Sequence, residues 1–321
     1  MFVRSSHNPI LKPDKKVSWR SLKVYNPTVL FENNKYHLFY RAVFYRAVDK
    51  KWCSNIGYGY SSDGVKFILE KQPRIKRAGN LETRGVEDPR LTKIDKEYLL
   101  TYTAYDGNYA KLALARSLNL KKWQKIGPLL PKWNLFKNGG FSVNWDESRI
   151  KDDPRWCKAG GIFPEKFNEK YLMLFGDSNM WFAESGNLKN WQTDTKPFIR
   201  RRTGYFDSAH LEMGPPPIKT KYGWLVLYHG VDDKIVYRLG YLLLDLKNPR
   251  KIIKRSERPI FEPQANYELK GLIDIGKKRH PKIIFCNGAV LIGDMLRIYY
   301  GAADSVICTA SAKLEDILRA V

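Results

Sequence analysis

Several residue types and patterns are scarce in this sequence of 321 residues, and each shortage argues against a class of protein. Four cysteines are too few for a disulfide-stapled scaffold, and they form no C-x-x-C pair. No apolar run approaches the roughly 20 residues of a membrane-spanning helix. Residues 1–16 lack the apolar core of a secretory signal. We therefore expect a soluble, cytoplasmic protein whose cysteines are buried, inert thiols.

Patterns typical of metal and nucleotide sites are also missing. The five histidines show neither an H-E-x-x-H motif nor a close H-x-H pair, whereas zinc needs three or four converging ligands. The glycines form no G-x-G-x-x-G or G-x-x-x-x-G-K loop. Helical periodicity is confined to one short segment at residues 314–320. We therefore expect no metal and no organic cofactor.

Positive charge, in contrast, is in excess: 56 Lys and Arg stand against 33 Asp and Glu, for a formal net charge of +23. Such an excess suggests a polyanionic partner, which would need basic and aromatic residues interleaved along an exposed stripe. The best basic clusters, at residues 74–77, 198–202 and 276–280, are scattered over predicted loops. We therefore interpret most of the charge as a solvated surface and do not expect a nucleic-acid partner.

A strand-like pattern occurs five times along the chain. Each copy alternates apolar residues with period two and follows a turn and another short apolar strand, so each unit opens with a hairpin. A third strand follows in every unit, and the long spacing suits four-stranded blades rather than a solenoid. The second strands of the five hairpins are predicted at residues 35–43, 97–107, 170–178, 223–232 and 296–304.

These repeats predict an all-β fold, a single five-bladed β-propeller over residues 1–321 with a short C-terminal helix. A pair of β-sandwiches is the alternative, but it would not explain five equivalent hairpins. In a propeller, residues before the inner strand and after the second strand meet at one end of the channel. The polar residues at these positions are Asn26, Glu87, Asp88, Lys158, Glu212, Asn287, Arg41, Asp106, Asp177, His229 and Asp304, and Arg116 is expected to join them.

Cations and carboxylates mixed at a channel mouth favour a site for an anion together with a polyhydroxylated ligand. The motifs there are VYNPTVLF (24–31), GVEDPRLTKIDKEYLLTYTAYDG (85–107), KAGGIFPEKFNEKYLMLFGDS (158–178), LEMGPPPIKTKYGWLVLYHGVD (211–232) and IYYGAADSVICTA (298–310). In order and wording they resemble glycoside hydrolase family 130, the inverting mannoside phosphorylases and their hydrolytic relatives. The resemblance extends from about residue 8 to residue 315, and it too implies a five-bladed propeller.

The resemblance implies one catalytic acid, Asp88 of the E-D-P-R motif. It implies mannosyl-binding roles for Asn26, Arg41 and Asp304. Inverting transfer needs an acid for the leaving oxygen and a nucleophile on the opposite face of the sugar. Phosphate is already a nucleophile and instead needs cations to hold it. The residues that the resemblance assigns to phosphate are Arg116, Lys158, His229 and Tyr237.

Four further carboxylates are candidate substrate contacts, namely Glu87, Asp106, Asp207 and Glu212. If Glu212 or Asp207 activated water, the chain would be a hydrolase. Structural roles remain open for several candidates. Asp304 and Arg41 could form a structural ion pair, Arg116 could be a solvated surface residue, and His229 could be a core histidine. Trp133, Trp145 and Trp156, in the segment 128–157, could stack on sugar rings or pack a loop core.

The leading hypothesis is therefore an inverting phosphorylase. It would cleave β-1,2- or β-1,4-linked manno-oligosaccharides with inorganic phosphate, a co-substrate rather than a cofactor, to give α-mannose 1-phosphate. The alternative is an inverting β-mannosidase on the same fold, and a third hypothesis is a non-catalytic basic propeller. The expected partners are a manno-oligosaccharide and phosphate, with no membrane, and a homo-oligomer is left open.

Overall fold

The computed structural model describes residues 2–135, 156–270 and 282–319, and most regular elements in these ranges are β-strands. The first two antiparallel units are joined in one sheet, with strands paired in chain order inside each unit. They contain β2 (Lys23–Glu32), β3 (Lys35–Tyr45), β4 (Trp52–Ser61), β5 (Ile68–Leu69), β6 (Gly85–Ile94), β7 (Glu97–Tyr105), β8 (Ala110–Ser117) and β9 (Gln124–Pro128).

The third unit forms a sheet of its own, and the fourth and fifth units share another. In the fourth unit, β14 and β15 both pair with β16. These units contain β10 (Gly160–Phe167), β11 (Lys170–Phe175), β12 (Trp181–Ser185), β13 (Gln192–Thr193), β14 (His210–Met213), β15 (Ile218–Thr220), β16 (Gly223–Val231), β17 (Val236–Leu244), β18 (Ile252–Arg255), β19 (Lys282–Ile292), β20 (Met295–Ala302) and β21 (Val306–Lys313).

The all-β prediction is confirmed, and all five predicted hairpins are present. Their second strands are β3, β7, β11, β16 and β20, and each pairs antiparallel with the strand before it. The predicted C-terminal helix is α2 (Leu314–Arg319). Within the described ranges, the other helical elements are α1 (Asn266–Leu269) and 3₁₀ turns at Ser18–Arg20 and Asn80–Glu82.

The fifth unit is completed by the other end of the chain. The short strand β1 (Val3–Arg4) pairs antiparallel with β21. Arg4 Nε also donates a hydrogen bond of 2.8 Å to Glu268 Oε1, whose side chain is fully buried. Residues separated by most of the sequence are thus joined both by backbone and by charge.

Apolar side chains fill the space between successive units. Buried clusters join the first unit to the second, the second to the third, the third to the fourth and the fourth to the fifth. A further cluster joins the fifth unit back to the first, with Tyr299 and Ile307 packed among Val24, Tyr36 and Leu38. Burial of this apolar surface is the main stabilising term. The five-bladed ring itself stays a prediction, because strand pairing distributes the units over three sheets.

Three inner strands carry a bulge at the same place. The register shifts between Tyr25 and Thr28 in β2, between Glu87 and Arg90 in β6, and in β19 just before Gly288. The bulged residues Asn26 and Asp88 have φ angles of 48° and 51°. Asn and Asp tolerate this left-handed conformation better than most residues. Since a bulge re-aims a side chain, it turns these two polar groups away from the regular pleat.

The four cysteines are buried and unpaired, as the sequence predicts. In the described ranges, no helix is long and apolar enough to cross a membrane. Among the same residues, no group of three or more His, Cys, Asp or Glu side chains is arranged to hold a metal ion.

Candidate active site

Asp88 lies where the inner strands of the first two units meet. Its side chain is almost fully buried. Asn26 Nδ2 donates a hydrogen bond of 2.8 Å to Asp88 Oδ1, and Arg41 Nη1 donates one of 3.2 Å to the same oxygen. The bulges of β2 and β6 therefore meet in the hydrogen bond between Asn26 and Asp88. The Asp88 carboxylate is held by side chains from two strands of the first unit, β2 and β3.

Arg41 also holds the adjacent carboxylate. Its Nη2 donates to Glu87 Oε1 at 2.6 Å, and Ser54 Oγ donates to that oxygen at 3.1 Å. Burial raises the pKa of Glu87, with Arg41 opposing the rise. For Arg41, burial favours the neutral form, yet Glu87 and the other acids around it raise the pKa well above its ordinary value. The guanidinium therefore remains charged between Glu87 and Asp88.

Asp304 follows β20 with a φ angle of 48° and faces the same cations. Burial raises its pKa to about 6, although Arg41 and Lys23 favour the charged form. Burial likewise lowers the pKa of Lys23 to about 8, against the attraction of Asp304. Sequence reasoning missed Lys23, because one lysine in a basic chain is not distinctive. Its position two residues before Tyr25 on β2 was the available signal.

Arg90, of the same E-D-P-R motif, is fully buried and ties the second unit to the fourth. Its guanidinium donates to the carbonyl oxygens of Met213 at 2.6 Å and Gly214 at 2.8 Å. A third bond of 3.1 Å reaches the carbonyl oxygen of Asp88. Arg90 was not singled out from the sequence, where its motif suggested only the neighbouring acid. It positions the strand that carries Asp88 rather than presenting its charge to a ligand.

Lys158 and Glu212 belong to the same cluster of charged side chains as Asp88, which interacts with Lys158 through charge. Lys158 Nζ lies 3.5 Å from Glu212 Oε1 and 3.7 Å from Asp177 Oδ2. Burial would raise the pKa of Glu212, but Lys158, His210 and Arg90 hold it well below its usual range. Burial would lower the pKa of Lys158, and the acids raise it instead. Both groups are therefore charged at neutral pH, and His210, also missed from the sequence, stabilises Glu212 from 3.6 Å.

His229 is buried opposite Glu212 in the pairing of β14 with β16. The backbone N–H of Cys286 donates to His229 Nε2 at 2.7 Å, so the ring hydrogen is assigned to Nδ1. Burial lowers its pKa to about 3. The imidazole is therefore neutral at pH 7 and stacks on Phe285 at 4.1 Å. Tyr237 lies nearby on β17, with its ring 6.2 Å from that of Phe285. His229 is therefore a buried, uncharged ring, and it does not supply the positive charge expected of it at neutral pH.

Arg116 is not brought into the cluster, which contradicts its expected place at the channel mouth. It lies on β8 opposite Leu99 and forms an ion pair with Glu97. Glu87, beside Asp88, pairs with Thr103 of β7. Thr103 lies four residues beyond Leu99, so Arg116 and Glu87 are separated by about 13 Å along the strands. The A-R-S motif identifies Arg116, but it does not show at which edge of the sheet β8 places this side chain. Arg116 is a partly exposed structural ion-pair residue.

Asp207 was expected to contact ligand, and its carboxylate is instead saturated by neighbouring side chains. Arg202 Nη2, Arg255 Nη2 and Tyr228 Oη each donate to Oδ2 at 2.8 Å. A fully buried acid between two arginines stabilises the loop before β14 rather than a substrate. The expected contact is therefore replaced by a structural network.

Asp106 caps a turn after β7. Its Oδ1 accepts hydrogen bonds from the backbone N–H groups of Asn108 at 2.7 Å and Tyr109 at 2.8 Å. This arrangement is the local Asx turn that Asp favours. Asp106 lies at the same end of its sheet as the cluster, but its carboxylate is engaged by the turn.

Two of the three tryptophans considered for sugar stacking are core residues. Trp133 and Trp156 are buried between the second and third units. Trp156 Nε1 donates to Asp177 Oδ2 at 2.6 Å and so orients the acid beside Lys158. Trp145, like the basic cluster at 276–280, lies outside the described residues.

Comparison with known proteins gives this cluster its context. A family model of glycoside hydrolase family 130, described as beta-1,4-mannooligosaccharide phosphorylase, matches residues 4–321. The chain belongs to glycoside hydrolase family 130. The resemblance inferred from the motifs is therefore confirmed. A 1,2-beta-oligomannan phosphorylase from Thermoanaerobacter sp. (strain X514) is 36% identical over 98% of both chains.

Solved structures of the family agree. The beta-1,2-mannobiose phosphorylase from Listeria innocua, in complex with beta-1,2-mannobiose, has a TM-score of 0.81 and 25% identity, over 99% of this chain and 98% of its own. A structure from work on family 130 glycoside hydrolases that target beta-1,2 mannosidic linkages in Candida mannan has a TM-score of 0.82 and 28% identity. It covers 98% of this chain and 94% of its own. The family therefore contains both phosphorylases and hydrolases.

Proposed function

We propose that this protein is an inverting β-mannoside phosphorylase that transfers a mannosyl group to inorganic phosphate and releases α-mannose 1-phosphate. Asp88 is the proton donor, and Asn26, Arg41 and Asp304 bind the mannosyl group. The observation that carries the proposal is the buried carboxylate of Asp88, fixed by Asn26 and Arg41 with the charged amine of Lys158 in the same cluster. Similarity over nearly the whole chain to a 1,2-beta-oligomannan phosphorylase supports the proposal further.

The reaction follows from these groups. Asp88 supplies the proton that the glycosidic oxygen receives, either directly or through a hydroxyl group of the mannosyl ring, as the bond to the anomeric carbon breaks. The shortened mannoside leaves as an alcohol. A phosphate oxygen attacks that carbon from the opposite face, which inverts its configuration. Lys158 attracts the phosphate as a point charge, while Tyr237 and the Nδ1–H group of His229 serve as neutral donors. Arg116 is not part of this proposal.

The fold proposed for this chemistry is a five-bladed propeller in a single domain. Its support is the apolar cluster between the fifth and first units, together with those between all other successive units. Such a ring would bring residues of all five units around one channel. That arrangement agrees with the electrostatic interactions among Arg41, Asp88, Lys158, Glu212 and Asp304, one residue from each unit.

Hydrolysis is the second candidate, because a structural relative comes from work on hydrolases of the family. An inverting hydrolase needs a second carboxylate to act as base on water. Glu212 is held as a stable anion by Lys158, and its low pKa makes it a weak base. Asp207 is saturated by Arg202, Arg255 and Tyr228. Neither acid is suited to activating water, which favours phosphorolysis.

For the linkage, we place β-1,2-mannosides first, because the Thermoanaerobacter and Listeria relatives are phosphorylases of β-1,2-linked mannosides. The test is to incubate the protein with β-1,2- and β-1,4-mannobiose, with and without inorganic phosphate, and to separate the products. The expected product is mannose 1-phosphate formed only when phosphate is present, and faster from the β-1,2-linked substrate. Release of free mannose at the same rate without phosphate would establish the hydrolase instead.

A further inference from the structure

One face of the first unit extends outward from Arg41, which contacts Asp88 and Glu87 in the candidate site. In the pairing of β3 with β4, Arg41 lies opposite Ile56, Val43 opposite Ser54, and Tyr45 opposite Trp52. Alternate residues of a strand point to the same face, so these three pairs line one surface. Its inner part contains Arg41 and Ser54, which hold Glu87. Its outer end is the pair Tyr45 and Trp52.

The outer pair consists of two exposed aromatic rings side by side. Tyr45 is 51% exposed and Trp52 is 39% exposed. Their ring centroids are 5.8 Å apart and the rings are inclined at 63°. Single exposed aromatics are common on protein surfaces, whereas two in contact at the edge of a candidate site present a continuous apolar surface to a ligand.

Lys23 holds this surface in place. Its Nζ lies 4.4 Å from the centroid of the Trp52 ring, and the side chain is almost fully buried. Lys23 is opposite Val43 in the pairing of β2 with β3, so it belongs to the same face. A cation over an indole ring favours one ring orientation. Trp52 is thus fixed from inside the protein while part of its ring remains open to solvent.

The distance from the acid suits an extended substrate. Tyr45 lies four residues beyond Arg41 on β3, or about 13 Å along the strand. Arg41 contacts Asp88, where the glycosidic bond would be broken. That separation leaves room for the first acceptor sugar beside Asp88 before the next sugar reaches the rings.

We propose that Trp52 and Tyr45 form an acceptor-side platform that binds the second sugar beyond the scissile bond of a manno-oligosaccharide. This inference rests on the proposed function, because the sugar chain must enter the site at Asp88. A pyranose ring has an apolar C–H face that packs on an aromatic ring, while its hydroxyl groups remain in water. The platform would therefore make the enzyme favour oligosaccharides over the disaccharide, without affecting the bond-breaking step.

The test measures binding without turnover. Isothermal titration calorimetry in the absence of phosphate compares β-1,2-mannobiose with β-1,2-mannotetraose, and the β-1,4-linked pair forms a separate arm. We expect Trp52→Ala to weaken mannotetraose binding about tenfold and to leave mannobiose binding within about twofold. Tyr45→Ala should act in the same direction, and Trp52→Phe should retain part of the affinity. The matched control is Tyr60→Ala, which removes a 37% exposed ring from the other end of β4.

Equal losses for mannobiose and mannotetraose, or no loss for either, would overturn the platform. So would a wild-type protein that does not prefer the longer sugar. Thermal unfolding of each variant separates a folding defect from a binding defect, and Trp52→Phe provides the conservative case. Phosphate-dependent cleavage of mannobiose by the same wild-type preparation decides the proposed function separately. A phosphorylase without chain-length preference would retain that function and lose the platform.

Discussion

At the scale of single residues, the contacts of Asp88 determine what a substitution there would do. Both observed donors, Asn26 and Arg41, bind its Oδ1. An asparagine can present an amide oxygen to them with little change of shape, but it has no acidic proton to give. We therefore expect Asp88→Asn to fold normally and to lower kcat by about 10² to 10⁴-fold, the usual contribution of a general acid. Initial rates of mannose 1-phosphate release measure this.

The matched control for that variant is Asp106→Asn. Asp106 lies at the same end of the second unit, and its carboxylate accepts two backbone hydrogen bonds that an amide oxygen can also accept. Activity should remain within about twofold, since asparagine also stabilises Asx turns. If Asp88→Asn were as active as Asp106→Asn, Asp88 would not be the acid.

Asp304 predicts a pH dependence of stability. Its pKa rises from 3.8 to about 6 on folding, so the folded protein binds this proton more tightly. The associated stabilisation is fully present below pH 3.8 and is lost as the pH rises through 6, up to about 3 kcal/mol. Asp304→Asn cannot titrate. The difference in Tm between the variant and the wild type should therefore become more positive from pH 5 to pH 7.5.

Thermal unfolding at several pH values checks this expectation. Lys23, whose pKa is lowered to about 8, is charged throughout most of that range and contributes little to the trend. A difference in Tm that is constant with pH would show that Arg41 and Lys23 compensate the buried charge of Asp304 fully.

At the scale of strands and turns, the bulges of the inner strands are the features that place the site. The bulge of β19 packs directly against that of β2. A Cβ atom at Gly288 would lie 2.9 Å from the carbonyl oxygen of Pro27 and 2.9 Å from the backbone nitrogen of Val29. These neighbours are backbone atoms, which cannot move aside as a flexible side chain does.

Gly288→Ala is therefore expected to lower the free energy of unfolding by roughly 1–3 kcal/mol, as overpacking does. It should also reduce activity, because the displaced strand carries Asn26. Gly186→Ala is the control, since its Cβ would meet no atom within 4 Å, and its effect should stay within about 0.5 kcal/mol. Urea unfolding of both variants measures the difference, and equal stabilities would contradict close contact between the two bulges.

At the scale of the whole molecule, the net charge of +23 attracts small anions. Among the described residues, few cations lie in the cluster around Asp88, and two of them, Arg41 and Lys158, are paired with carboxylates. The Lys and Arg side chains outside this cluster attract anions over longer distances, and dissolved salt screens that attraction. Raising the ionic strength from about 0.01 M to about 1 M shortens the Debye length from about 30 Å to about 3 Å.

The KM for phosphate should therefore rise across that range of salt, while the KM for the uncharged mannoside stays nearly constant. Initial rates with each substrate varied in turn provide the measurement. A parallel increase of both constants would point to a change in the protein itself rather than to screening of an anion.

How much of the fold could be predicted depended on local pattern. The five hairpins and the helix α2 follow from alternation of apolar residues over a few positions, which is local information. The pairing of β1 with β21 was not predicted, because Val3 and Arg4 form too short a segment to give a periodic signal. Arg116 shows the corresponding limit for the site, since its motif says nothing about which edge of the sheet it reaches.

The sequence by itself determined the strand pattern, the family and the choice of Asn26, Arg41 and Asp88 as candidate site residues, while their mutual contacts came from the structure. Only the tertiary structure decided which polar groups are buried and which charged groups lie next to one another. It made His229 neutral, saturated Asp207 with Arg202 and Arg255, and placed Lys23 beneath Trp52. The physical reason is that periodicity and motifs depend on residues close in the chain. Burial and charge pairing depend instead on groups brought together from distant units.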